Sequence, residues 1–98
     1  MTYTEVGPVA AVIRAKLEAT FEPSALSISD ESHLHAGHAG HDSRGESHFA
    51  VAMSSAAFVG KSRIDRQRMV YSVLADELRT RVHALRLSLD APEEDAKR

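Results

Sequence analysis

Residues 25–53, ALSISDESHLHAGHAGHDSRGESHFAVAM, decide the fold. At the first end, Leu26 and Ile28 fall on one side of an alternation and Ser27 and Ser29 on the other. At the far end, Phe49, Val51 and Met53 repeat the same period of two. Both ends therefore carry the pattern of short, half-buried strands. Between them, residues 31–47 contain three glycines and no apolar period. Hairpin loops usually take about 2 to 5 residues, so a connection this long points to a use for the extra reach. It also holds His33, His35, His38 and His41, most of the six histidines of the chain.

On the N-terminal side, Val9, Val12, Ile13, Leu17 and Phe21 form the stripe of an amphipathic helix from Gly7 to Phe21. Pro8 suits its first turn and Pro23 stops it. On the C-terminal side, Phe58 and Gly60 mark a short turn. Ser62 can then cap a longer helix with the stripe Val70, Val73, Leu74 and Leu78 and a polar opening of Arg63, Arg66, Gln67 and Arg68. Val82 to Leu89 alternates again, with His83, Leu85, Leu87 and Leu89 sharing one parity, and reads as a third strand. The charged end APEEDAKR reads as a frayed tail or one weak helical turn. The order is α-β-β-α-α-β. A strand, two helical elements and a strand make a crossover, which closes as a parallel pair beside the antiparallel hairpin. The expected architecture is α/β (α+β): a three-stranded mixed sheet with helices packed on one face.

Ninety-eight residues allow one domain. With 12 Lys+Arg against 14 Asp+Glu, the net charge of −2 disfavours a globally basic nucleic-acid binder. The chain has no cysteine, which removes disulfides, a nucleophilic thiol and any self-contained thiolate metal site. No apolar run approaches the ~20 residues of a membrane span, and MTYTEVGPVA lacks the regions of a signal or transit peptide. The expected location is the cytoplasm, with no membrane partner. No internal repeat is visible.

Histidine is the main candidate for chemistry. Neutral imidazole ligates zinc, copper, nickel and iron, but the spacing of His33, His35, His38 and His41 by itself favours a solvated loop that picks up metals adventitiously over a dedicated site. His48, directly before Phe49, reads first as a residue that pins the exit of the loop. His83 reads first as a partly buried, hydrogen-bonded histidine. If the mouth of the third strand lies beside the long loop, His83 and a loop histidine would instead present two imidazoles to one metal. An iron–sulfur cluster generally needs thiolates. In a chain without cysteine, such a cluster has to be shared with a partner that supplies the sulfur.

Lys61, Arg63, Arg66 and Arg68 surround a helix start and are candidate phosphate contacts, although a solvated helix face explains them more simply. The helix buries Val70, Val73 and Leu74, and the acidic Asp76 and Glu77 follow, which suits a helix-turn-helix reader poorly. No GxxG clamp begins at Gly60, since Arg63 stands three residues on. Ser47 and His48 are strand neighbours pointing to opposite faces, Asp76 and Glu77 are consecutive on a helix, and GHAGHDSRG has no Walker lysine. No catalytic constellation emerges, and the expectation is that the chain is not an enzyme.

Taken together, D-E-S-H-L-H-A-G-H-A-G at 30–40, G-E-S-H-F at 45–49, F-V-G at 58–60, R-Q-R-M-V-Y at 66–71 and V-H-A-L at 82–85 resemble the BolA family, in its histidine-type, BolA1-like branch. The resemblance implies a class II KH-like fold spanning 1–91, with 30–47 as the histidine-rich loop and 92–98 as a charged tail. It also implies a monothiol CGFS glutaredoxin partner and a role in iron–sulfur cluster assembly, trafficking or iron regulation. In such complexes a [2Fe-2S] cluster is held jointly by the glutaredoxin cysteine, glutathione, the histidine of V-H-A-L and a loop ligand. Carried over, these are His83 and His35, with His33, His38 and His41 as alternates. The family is further linked to DNA binding and transcription regulation, which would employ the Arg66–Tyr71 helix region, and an apo homodimer is a further candidate assembly. Two departures stand out. Gln67 replaces the histidine of the family's R-H-R, and no tryptophan follows Pro92, so the last helix is expected to be short or absent.

Overall fold

A computed structural model describes residues 7–31 and 47–96. Helix α1 spans Pro8–Phe21. Gly7 takes the extended N-cap conformation with proline next, where a missing N–H costs nothing. Glu22 closes the helix in the left-handed region at φ 45°, donating its N–H to Glu18 O, and Pro23 prevents continuation. Ala10, Ile13, Leu17 and Phe21 are the buried face.

Strands β1 (Ala25–Asp30) and β2 (His48–Ser54) pair antiparallel, with Ile28 opposite Val51 and Asp30 opposite Phe49. A 3-10 turn, Ala56–Phe58, follows. The buried Ser55 organises it: its Oγ accepts from Ala57 N at 3.1 Å and donates to Phe21 O at 2.6 Å, tying the turn to the end of α1. After Gly60, at φ 76°, Ser62 caps helix α2 (Arg63–Val73) by accepting from Asp65 N at 3.1 Å.

The single helix expected through Leu78 is in fact two. Leu74, at φ −101° and ψ 20°, interrupts the helix, and α3 (Ala75–Thr80) follows. The buried Leu74 side chain still reaches the core, which is why the apolar period runs on through a backbone break. Lys16 on α1 holds α3 through Glu77 at 2.8 Å.

Strand β3 (Ala84–Asp90) pairs parallel with β2, in the order β1-β2-β3. It starts two residues later than the alternation suggests, because Val82 is buried before the strand and His83 lies in the bend leading into it. Pro92–Ala96 forms the short helix α4.

All the helical burial falls on one side of the sheet. Ile28, Phe49, Val51 and Met53 meet Ile13, Leu17, Phe21, Phe58, Val70 and Leu74 in one core, and the Phe21 and Phe58 rings lie 5.2 Å apart. The opposite face carries Ala25, Ser27, Ser29, Ala50, Ala52, Ala84, Arg86 and Ser88, at least partly accessible. This is the mixed α+β architecture expected from the sequence. Phe49→Ala removes a ring at the centre of this core, and we expect a loss of about 3–5 kcal/mol, read as a lower urea midpoint at unchanged slope. Ser62→Ala should cost about 1 kcal/mol in the same experiment.

Candidate metal centre

The parallel register sets the site. His48 pairs with Ala84, so the residue entering β3 stands beside the residue opening β2. The carbonyl of the buried Ser47 accepts from both His83 N, at 2.7 Å, and Ala84 N, at 3.3 Å. With the backbones locked in this way, the His48 and His83 rings lie 6.0 Å apart at an interplanar angle of 30°. Ser47 precedes β2 rather than lying in it, so the expected opposite-face placement of Ser47 and His48 does not hold: Ser47 Oγ and His48 Nδ1 are 2.8 Å apart and hydrogen-bonded, which holds the half-buried His48 ring in place. His83 is exposed. The expected partly buried, core-satisfied His83 is corrected here: preceding the strand rather than lying in it, His83 does not follow the leucine parity into the core.

Both ends of the histidine-bearing segment converge on this corner. Glu31 donates its N–H to His48 O at 2.7 Å, and its carboxylate accepts from Arg86 Nη2 at 2.6 Å. Arg86 pairs in register with the small Ala50, so its side chain crosses the middle strand to reach the end of β1. The mouth of the third strand therefore lies beside both ends of the long connection, as the two-imidazole alternative requires. His33, His35, His38 and His41 lie outside the described residues. Among the described residues, no group of three or more His, Asp or Glu side chains is placed to hold a metal ion. What the described residues bring together here is a pair of neighbouring imidazoles, His83 exposed and His48 half-buried.

His48 is the member that sequence reasoning set aside. The signal was present: each of the two strands that pair in parallel is preceded or opened by a histidine, and the register makes them neighbours.

The four cations at the start of α2 separate. Lys61, Arg63 and Arg68 are exposed, Arg68 with a loose 3.8 Å pairing to Asp65. Arg66 is turned inward, its side chain only 11 % exposed. Its Nε donates to Lys61 O at 3.0 Å, its Nη1 to Leu89 O at 3.1 Å and to Glu94 Oε1 at 2.7 Å, and the guanidinium lies 5.9 Å from the Phe58 ring centroid. Arg66 joins α2, β3 and α4.

A family model described as BolA-like protein matches residues 17–94. The chain belongs to the BolA-like family. The BolA domain of SufE1 from Arabidopsis thaliana superposes with a TM-score of 0.83 at 42 % identity, covering 91 % of this chain and 98 % of that one. BolA-like protein 1 of Mus musculus is 44 % identical over 88 % of this chain and 60 % of its own length. The DNA-binding transcriptional regulator BolA of Escherichia coli is 48 % identical over 76 % of this chain and 68 % of its own. The chain spans only 23 % of the full-length Arabidopsis SufE-like protein 1. Among the described residues, no helix of this BolA-like chain is long and apolar enough to cross a membrane.

Arg66→Ala, which removes the clasp on Leu89 and Glu94, should lower stability by about 1–2 kcal/mol. Lys61→Ala and Arg63→Ala should stay within about 0.5 kcal/mol, as measured by thermal unfolding.

Proposed function

We propose that this BolA-like chain is a non-enzymatic cytoplasmic adaptor that binds a monothiol CGFS glutaredoxin and supplies imidazole ligands to a shared [2Fe-2S] cluster in iron–sulfur cluster assembly, trafficking or iron regulation. The observation that carries this reading is the His48–His83 pair, 6.0 Å between rings, at the corner where both ends of the histidine-bearing segment are tied. His83 is one ligand. The second comes from the segment, His35 first with His33, His38 and His41 as alternates, or from His48, which already stands beside His83. The cysteine of the glutaredoxin and glutathione supply the sulfur that this chain lacks. A cluster held in this way carries less negative charge than an all-thiolate one and has a higher reduction potential, as in Rieske-type ligation. Ser47, hydrogen-bonded to His48, and Arg86, paired to Glu31, act as positioning residues.

A second reading, a DNA-binding transcription regulator, is favoured by the name of the Escherichia coli relative and by the exposed Lys61, Arg63 and Arg68. Arg66, engaged with Lys61 O, Leu89 O and Glu94, serves that reading less directly.

The test is anaerobic cluster reconstitution of this chain with a CGFS glutaredoxin and glutathione, followed by visible circular dichroism. We expect a heteromer-specific spectrum that is lost or altered in His83→Ala. His48→Ala then separates a direct ligand from a bystander. A spectrum identical to that of the glutaredoxin homodimer, for wild type and mutant alike, would overturn the adaptor reading. Binding of duplex DNA that is abolished by reversing Lys61, Arg63 and Arg68 would then put the second reading first. Imidazole must lose its proton to ligate a metal, so acidification from about pH 8 to 5 should weaken the heteromer spectrum progressively. A spectrum unchanged across that range would count against imidazole ligation.

A further inference from the structure

Away from the imidazole pair, a cleft of about 490 Å³ runs between the first turns of α2 and the outer edge of β3, with Lys61, Arg63 and Gln67 on one wall and Leu87–Leu89 on the other. Arg66 and Glu94 border it as well. Among the described residues β3 pairs only with β2, and no strand lies along its other edge.

Two contacts fix which backbone groups line that edge. Asp90 O accepts from Ser55 N, on the β2 side, at 3.0 Å. Leu89 O accepts from Arg66 Nη1, on the outer side, at 3.1 Å. Backbone groups alternate sides along a strand, so Leu85, Leu87 and Leu89 direct their N–H and C=O groups outward. The guanidinium of Arg66 takes the last of these carbonyls and marks where pairing must stop. Charge is also unequal across the cleft. Glu94 is spent on Arg66 and Asp90 is buried. The Lys61 and Arg63 side chains are exposed, and among the described residues neither forms an ion pair.

We propose that this cleft binds an acidic polypeptide segment in extended form, added as a fourth strand along Leu85–Leu89 with its carboxylates on Lys61 and Arg63. An extended peptide offers donors and acceptors in alternation, matching an edge that presents both. The sugar–phosphate backbone of duplex DNA offers phosphate acceptors to the two cations but, having no hydroxyl or N–H groups of its own, no donors for the carbonyls of Leu85 and Leu87. The site shares no residue with the His48–His83 corner and stands whether or not that corner binds a cluster.

The experiment titrates the full ¹⁵N-labelled chain with a blocked peptide of alternating glutamate and valine and follows the backbone amides. We expect shifts and slowed hydrogen exchange at the Leu87 and Leu89 amides. Affinity should fall at least about tenfold in the Lys61→Glu, Arg63→Glu double variant, whose exposed positions leave the fold intact, and stay unchanged in His83→Ala. Amides of Leu87 and Leu89 that do not respond to millimolar peptide would overturn the proposal. So would shifts confined to Lys61 and Arg63, or a short duplex DNA that moves the two edge amides when the peptide does not.

Discussion

The carbonyl of Ser47 is the hinge point of this molecule. It sits fully buried at the mouth of β2 and accepts from two consecutive amides, those of His83 and Ala84, as the chain returns from its crossover. That contact starts the parallel ladder, and the ladder fixes everything downstream: Phe49 beside Leu85, Val51 beside Leu87, Met53 beside Leu89. A slip of one residue would turn the half-buried leucines of β3 to the open face. The same contact brings the His83 ring to that of His48, so the start of the sheet and the candidate metal centre are one piece of geometry.

The two ends of β3 are managed differently. At its start, His83 remains exposed beside an imidazole neighbour. At its end, the backbone is gathered in by Ser55 from the β2 side and by Arg66 from the outside. Arg66 is charged yet nearly buried, and its cost is met by two backbone carbonyls, a carboxylate and an aromatic face. Through Glu94 it fixes α4 to the body of the fold, so the acidic C-terminal residues take part in the architecture as well as in solvation.

Most of this architecture was legible in the residues, because burial on one face of a sheet leaves a period of two and burial on one face of a helix leaves a stripe. Both ends of β1, β2 and α1 follow from those patterns within a residue or so. The break at Leu74 was not legible: its side chain keeps the helical stripe while its backbone leaves the helix, and apolar periodicity reports only side chains. The burial of His83 was misread for the converse reason, since parity holds only inside a strand and His83 precedes it. His48 and His83 stand at the starts of two strands whose parallel pairing was legible, but the register that sets the two rings side by side joins positions far apart in sequence and was not. Arg66 looked like its neighbours Arg63 and Arg68, and only the tertiary positions of Leu89 and Glu94 distinguish it.

The clamp formed by Glu31 and Ser47 has a consequence for how the intervening segment can vary. Glu31 and Ser47 are fastened to the sheet by their own backbone bonds, so the registers of β1 on β2 and of β2 on β3 are set by residues outside the segment. Loop-closure entropy grows only logarithmically, so doubling the number of residues between two fixed ends costs roughly 0.6 kcal/mol for a flexible chain. A change in the length of the segment therefore leaves the His48–His83 pair where the sheet holds it.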